Sequence, residues 1–217
     1  MAFSAVSIVG SGPVGCEIAL ACAAEEMPVV LIRGARSDVD AIRARLTRRL
    51  AIAVELGELT SAETIEILAR IEIGSDLGRV DDADLVIDTT VCEPRARRAM
   101  LATLESRLSS GAVLATSASP DRLGEIAEAL RRPDQLVGMR LQQLAPRDVQ
   151  VELTVLPETA PGVIGAARGF CAMLRRTPLE TATPPSRVGY REWLSQPASA
   201  ALPDAQARRA QLPEAAE

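Results

Sequence analysis

The 217-residue sequence has no histidine, no lysine and no asparagine, so its 24 basic residues are all arginine. Mechanisms that need a histidine base or a lysine acid/base are therefore closed to it. That removes the Tyr-x-x-x-Lys chemistry of short-chain reductases, the lysine-dependent hydroxyacid dehydrogenases and any histidine-containing metal site. No metal site is expected. Aromatic residues make up only 2%, too few for a platform on which single-stranded nucleic acid could stack. The net charge is −5 and there is no basic tail, which also argues against a nucleic-acid partner. No apolar run approaches the roughly 18 residues of a membrane span. The first ten residues lack the basic region of a secretory signal. Cys16, Cys22, Cys92 and Cys171 form no C-x-x-C pair, and free thiols in a cytoplasmic protein are expected.

Hydrophobic residues reach 47%, so a packed core must rest on Ala, Val, Ile and Leu. Val6 to Val9 is a buried-strand pattern, followed by Gly10-Ser11-Gly12-Pro13-Val14-Gly15 and then an Ala-rich helical stretch, Cys16 to Glu26. Pro28 to Ile32 reads as a second strand, completing strand, turn, helix and strand. Residues 38–73 read as a helical hairpin: Ile42, Leu46, Leu50 and Val54 share one face, Gly57 breaks the arm, and Thr60-Ser61-Ala62-Glu63 is a capping box. Further strands are expected at Leu85 to Ile87, Ala112 to Thr116, Leu136 to Met139 and Val149 to Val155. Helices are expected at Ala96 to Leu108, Leu123 to Arg131 and Gly162 to Arg176. The predicted fold class is α/β: a Rossmann-type, doubly wound, mainly parallel sheet with an inserted helical hairpin. The domain is placed at residues 1–191, with residues 192–217 an Ala- and Pro-rich, poorly ordered tail.

In the glycine turn, Gly10 permits the tight bend, Gly12 lets backbone approach a pyrophosphate, and Gly15 lets helix and strand pack closely. The amino-terminal end of the helix, from Pro13 and Val14, then presents free N–H groups and a positive dipole end to phosphate. G-x-G-x-x-G alone is a weak signal, but its place between a strand and a helix, with a second strand at the right distance, marks dinucleotide-binding geometry.

With these motifs the sequence resembles the NAD-binding domain of the 3-hydroxyacyl-CoA dehydrogenase family. The likeness spans about residues 4–191 and includes Gly57-Glu58-Leu59-Thr60, Asp84-Leu85-Val86-Ile87-Asp88, Leu114-Ala115-Thr116 and Arg132-Pro133-Asp134-Gln135-Leu136-Val137-Gly138-Met139. Where the family has its catalytic His after Val-Gly-Met, this sequence has Arg140. The Glu that orients the His is kept as Glu152, the active-site Ser falls on Ser119, and the family's later Asn falls on Tyr190. Arginine stays protonated and cannot serve as the base. Arg140 is open to three roles: an ion pair with Glu152, polarising a carbonyl, or holding a carboxylate. Tyr190 is read either as a proton donor or as an anchor for the tail. The family's carboxy-terminal helical domain, which completes cleft and dimer, has no counterpart, so self-association or a complex with another chain is expected.

The resemblance also places the cofactor. The Asp that ends the second strand in the family becomes Arg33, followed by Gly34-Ala35-Arg36. Two arginines beside the ribose favour a 2′-phosphate and hence NADP(H) over NAD(H); lost ribose recognition, with no cofactor, is the alternative. The family's nicotinamide-side Glu falls on Cys92, with Glu93 beside it, and a basic residue is retained as Arg97. Cys92 has no His to activate it and is expected to be a small buried residue rather than a nucleophile. Arg43, Arg45, Arg48 and Arg49 form a stripe on the hairpin, read as a solvated face or as a holder for the diphosphate of CoA or a carrier-bound phosphopantetheine.

The resemblance thus implies a divergent NAD(P)-dependent oxidoreductase acting on a hydroxyacyl or ketoacyl thioester, bound to CoA or to an acyl carrier protein. Glu152, Ser119, Tyr190 or water would handle protons, with Arg140 as electrostatic support. Two other readings use the same cleft: a non-redox enzyme of specialised metabolism performing a cyclisation, elimination or rearrangement, and a catalytically silent nucleotide-binding subunit.

Overall fold

The structure is a computed structural model that describes residues 3–145, 148–176 and 178–182. Among the described residues eight strands form one sheet: β1 (Val6–Val9), β2 (Val29–Ile32), β3 (Ile71–Gly74), β4 (Leu85–Asp88), β5 (Val113–Thr116), β6 (Leu136–Ala145), β7 (Asp148–Val155) and β8 (Pro178–Ala182). Their order is β3-β2-β1-β4-β5-β6-β7-β8. Strands β1 to β6 run parallel, β7 is antiparallel to β6, and β8 is parallel to β7. The central strands are buried on both faces, which is why they read as continuous apolar runs.

The helices are α1 (Pro13–Ala24), α2 (Val39–Glu55), α3 (Ser61–Ala69), α4 (Pro94–Arg107), α5 (Pro120–Ala127) and α6 (Pro161–Met173). Alternate strand residues feed two cores. Val6, Ile8, Leu85 and Ile87 pack beneath α1, α2, α3 and α6, whereas Val9, Val86, Leu114 and Leu136 pack beneath α4 and α5. The expected Rossmann-type, doubly wound class with an inserted α2–α3 hairpin is what the chain adopts.

The differences have local causes. The hairpin ends at Ala69, and Ile71–Gly74 leaves it to become edge strand β3, with Ile71 opposite Val29 and Ile73 opposite Leu31. The Ile-x-Ile alternation there is a strand signal too short to stand out beside the helix. Proline at N1 moves the starts of α1, α4, α5 and α6 earlier than expected, because its fixed φ suits the first helical position. Helix α5 stops at Ala127, well before Arg131. There the amides of Arg131 and Arg132 turn onto the buried carboxylate of Glu105, at 3.0 and 2.6 Å. Strand β8 follows α6 and extends the sheet beyond β7, the last strand expected. Tyr190 and the proposed tail at 192–217 lie outside the described residues.

Candidate dinucleotide cleft and its neighbouring rim

Strand β1 lies between β2 and β4, so the chain crosses in opposite directions on its two sides. The carboxyl ends of β1 and β4 thus form the switch-point crevice at which open α/β sheets bind ligands. Gly10 follows β1 with φ +115, a conformation that favours glycine. A Cβ there would come within 2.7 Å of Thr89 Oγ1. Thr89 ties the two strand ends together: its amide donates to Val9 O at 2.8 Å and its hydroxyl to Gly10 O at 3.0 Å. Gly15 sits so close to the turn that a Cβ would fall 1.9 Å from Gly10 O. At Gly12, by contrast, a Cβ would meet nothing within 4 Å.

That open space belongs to a cleft of about 450 Å³ bounded by the glycine turn, the segment Gly34 to Ile42, Arg45, and Thr89 to Val91. No side chain caps the first turn of α1, and Pro13 has no N–H, so the amides of Val14 and Gly15 are the orphan donors. These observations fit a dinucleotide whose pyrophosphate lies over Gly12. Of the predicted cofactor residues, Gly10 and Gly12 line the cleft, and Gly15 supports it from behind. The side chains of Pro13 and Val14 face a separate hollow with Leu141, Val151 and Leu174, so Val14 can contribute to the cleft through its amide alone.

The arginines depart most from expectation. Arg33 Nη1 donates to the carbonyls of Gly34, Ala35 and Ser37 at 3.2, 3.4 and 2.9 Å, bracing its own loop. Arg36 is exposed. Neither side chain lines the cleft. Arg45, placed by the sequence on a solvated or CoA-facing stripe, instead donates from Nη1 to Ser11 O at 2.8 Å inside the glycine turn. Beside it, burial raises the Cys16 thiol pKa, an effect that hydrogen bonding and charge from Arg45 partly offset. Arg49 of the same stripe pairs with Glu17 of α1.

Cys92 is exposed, contrary to the buried position expected, because it lies in the loop between Thr90 and Pro94 ahead of α4. Glu93 is the exposed N-cap residue of α4. Arg97 turns inward. Its guanidinium donates to Thr90 O, and its buried Nε lies 3.5 Å from Oδ2 of the fully buried Asp88. Nε meets no acceptor in hydrogen-bond geometry, so Asp88 answers its charge without a bond at that atom. Asp88 also accepts from Thr116 Oγ1 at 2.8 Å and from the Thr90 amide and hydroxyl at 2.9 and 2.6 Å. Cys92, Arg97 and Ser119 come together around a small hollow of about 60 Å³ between α4 and α5.

One step along the rim, Arg140 and Glu152 stand directly opposite each other in the β6–β7 ladder. Arg140 Nη1 lies 3.3 Å from Glu152 Oε2, while Thr181 of β8 donates to Oε1 at 3.4 Å. The ion pair foreseen as one role for Arg140 is thus formed. Ser119, the N-cap residue of α5, hydrogen-bonds Asp121 and holds that exposed carboxyl below its usual range, helped by the nearby charges of Arg122 and Arg140. Asp121, Asp38, the contact of Arg45 with the glycine turn and the Asp88 network escaped sequence reasoning. The one visible signal among them is Thr89-Thr90, a hydroxyl pair directly after a switch-point strand. Among the described residues, no group of three or more metal-ligating side chains is gathered, and no helix is long and apolar enough to cross a membrane.

Comparison with known proteins places this geometry. The family model described as 3-hydroxyacyl-CoA dehydrogenase, NAD binding domain, matches residues 5–183. The fatty acid oxidation complex subunit alpha of Psychrobacter arcticus is 25% identical over 173 residues, covering 80% of this chain and 24% of that protein. The same subunit of Psychrobacter cryohalolentis matches to the same extent. Among solved structures, (S)-3-hydroxybutyryl-CoA dehydrogenase PaaH1 from Ralstonia eutropha superposes with a TM-score of 0.77 at 23% identity, over 86% of this chain and 66% of that one. M. tuberculosis FadB2 gives 0.79 at 24% identity, with the same coverage. The likeness to these structures is one of fold, and the chain spans about a quarter of the length of the curated relatives it matches.

Proposed function

The chain belongs to the family of 3-hydroxyacyl-CoA dehydrogenase NAD-binding domains, and from that premise we propose that it binds a nicotinamide dinucleotide over Gly12 and serves oxidation or reduction of a hydroxyacyl or ketoacyl thioester. The observation that supports this reading is the open space over Gly12 at the switch point, beside a helix end with uncapped amides. In the binding role, Gly10 and Gly12 shape the floor, and Val14 and Gly15 offer N–H groups to phosphate. Thr89 and Thr90 form the opposite lip. When bound, the nicotinamide ring supplies hydride acceptance or donation; protons are left to the protein and solvent. Ser119, hydrogen-bonded to Asp121, is proposed to pass the hydroxyl proton toward solvent. Arg140 gives one N–H to Glu152 and retains others to orient the thioester carbonyl. Glu152 then acts through Arg140 as a positioning residue. The thioester is proposed to be carried by CoA or an acyl carrier protein, with a second copy or another chain completing the cleft.

NADP(H) was the sequence-based preference, resting on Arg33 and Arg36. With Arg33 engaged by its own loop and Arg36 outside the cleft, that basis is weakened while the dinucleotide reading stands.

The Arg140–Glu152 pair favours a second reading, since it occupies the place of the family's His–Glu dyad and cannot accept a proton at Arg140. In that case the cleft hosts a non-redox conversion or binding alone. Calorimetric titration with NADH and NADPH tests the first reading, and absence of binding at millimolar concentration overturns it. Turnover of a 3-hydroxyacyl thioester without added nicotinamide, unaffected by Gly12→Asp but lost in Arg140→Met, would establish the non-redox reading instead.

A further inference from the structure

The cofactor's adenosine end must be recognised by whatever charged groups reach the cleft wall beyond β2. Arg33 does not; it holds the loop. Its amide donates to Gly74 O at 2.8 Å, pinning the ends of β2 and β3, while its guanidinium takes three carbonyls of the following turn. The Ser37 amide closes that turn onto Gly34 O at 3.0 Å. The braced turn delivers Ser37 and Asp38 to the cleft wall.

Asp38 is the N-cap of α2, and Oδ1 accepts from the Asp40 amide at 3.0 Å. Its second oxygen makes no hydrogen bond among the described residues. The other charged side chain on the cleft wall, Arg45, is drawn to the glycine turn through Ser11 O, two helical turns along α2. The adenosine side of the cleft therefore carries a carboxylate and the pyrophosphate side a guanidinium.

Resting on the dinucleotide reading above, we infer that ribose recognition in this chain has moved from the strand end to the helix cap: Asp38 accepts from the adenosine ribose hydroxyls, Arg33 braces the turn that presents it, and a 2′-phosphate is disfavoured. A carboxylate is the natural acceptor for a ribose 2′-hydroxyl and a like-charge neighbour to a 2′-phosphate. The amino-terminal end of α2 would otherwise attract that phosphate, but the Asp38 charge already occupies it.

The test is calorimetry of the full chain with NADH, NADPH, 5′-AMP and 2′,5′-ADP, on the wild type, Asp38→Asn and Arg33→Gln. Asparagine caps helices as well as aspartate does, so Asp38→Asn keeps the unliganded melting temperature. The wild type is expected to bind NADH about tenfold or more tighter than NADPH, and 5′-AMP tighter than 2′,5′-ADP, about 1.4 kcal/mol per tenfold. In Asp38→Asn both ratios fall toward one. Arg33→Gln lowers the melting temperature and leaves the ratios in place. Unchanged ratios in Asp38→Asn, or an NADPH preference that disappears in Arg33→Gln, overturn this inference and leave dinucleotide binding intact. A wild type that binds none of the four overturns both.

Discussion

Two glycines three residues apart in the same motif serve opposite ends at the residue scale. Gly15 faces protein, with a Cβ position 1.9 Å from Gly10 O, whereas Gly12 faces open space. Gly15→Ala is therefore expected to cost about 3 kcal/mol of stability in a urea melt, as overpacking does. Gly12→Ala, at the N-cap of α1, should cost about 1 kcal/mol or less in that melt while weakening dinucleotide binding at least about tenfold by calorimetry. Arg97 shows a similar contrast between expectation and place. It was read as a cofactor contact, yet it answers the charge of fully buried Asp88. Arg97→Met leaves that carboxylate without its partner charge, and a loss of about 3–5 kcal/mol is expected. The thiols can be sorted in the same way. Burial pushes Cys22 and Cys171 up to about 12, from an ordinary value of 9.0. Their folded values are raised, so the stability they contribute is whole below pH 9 and falls as pH climbs from 9 toward 12, where the unfolded thiols ionise first. Melting temperatures measured across that range should decline more steeply in the wild type than in Cys22→Ala. At pH 8, exposed Cys92 should react with a thiol reagent well before the three buried cysteines.

Among the elements, the helical hairpin is the part most plainly written in the sequence. Thr60 Oγ1 accepts from the Glu63 amide and the Glu63 carboxylate accepts from the Thr60 amide, the reciprocal pair expected of a capping box. Those bonds from Thr60 hold the Glu63 carboxyl below its usual 4.5, so its contribution is present above that pH and fades as pH falls. Thr60→Ala should destabilise the protein by about 1 kcal/mol and speed amide exchange through α3. Strand β3 was hidden because its four residues follow the helix directly and pair only with residues far away in sequence. Strands β6 and β7 show the converse. Their antiparallel register puts Arg140 across from Glu152, so two charges twelve positions apart in the chain become an ion pair in the sheet.

For the molecule as a whole, the order β3-β2-β1-β4-β5-β6 locates the ligand crevice between β1 and β4. Binding there has a global signature. At one hundred times its dissociation constant, a dinucleotide should stabilise the fold by about 2.7 kcal/mol. Hydrogen exchange should slow at the end of β1, the first turn of α1 and Thr89 to Val91, and remain unaltered in β8. Uniform protection across the sheet would contradict a cleft at the switch point.

The sequence by itself determined the strand–turn–helix unit, the hairpin with its cap, the doubly wound class and the family, because these depend on residue spacing and backbone conformation within a few positions. It also determined that these 217 residues offer no histidine or lysine, so any acid–base work by them falls to other side chains or to solvent. Only the tertiary structure decided what each charged side chain meets: Arg33 its own loop, Arg45 the glycine turn, Arg97 a buried aspartate, Arg140 a glutamate across the ladder. An arginine's long, flexible stem lets its head reach partners in any direction, and the partner is chosen by register and packing between distant segments. Loop placement was equally beyond the sequence: Cys92, predicted to be buried, stands exposed ahead of α4, and Asp38, inconspicuous in the chain, lines the cleft because the turn after β2 brings the start of α2 there.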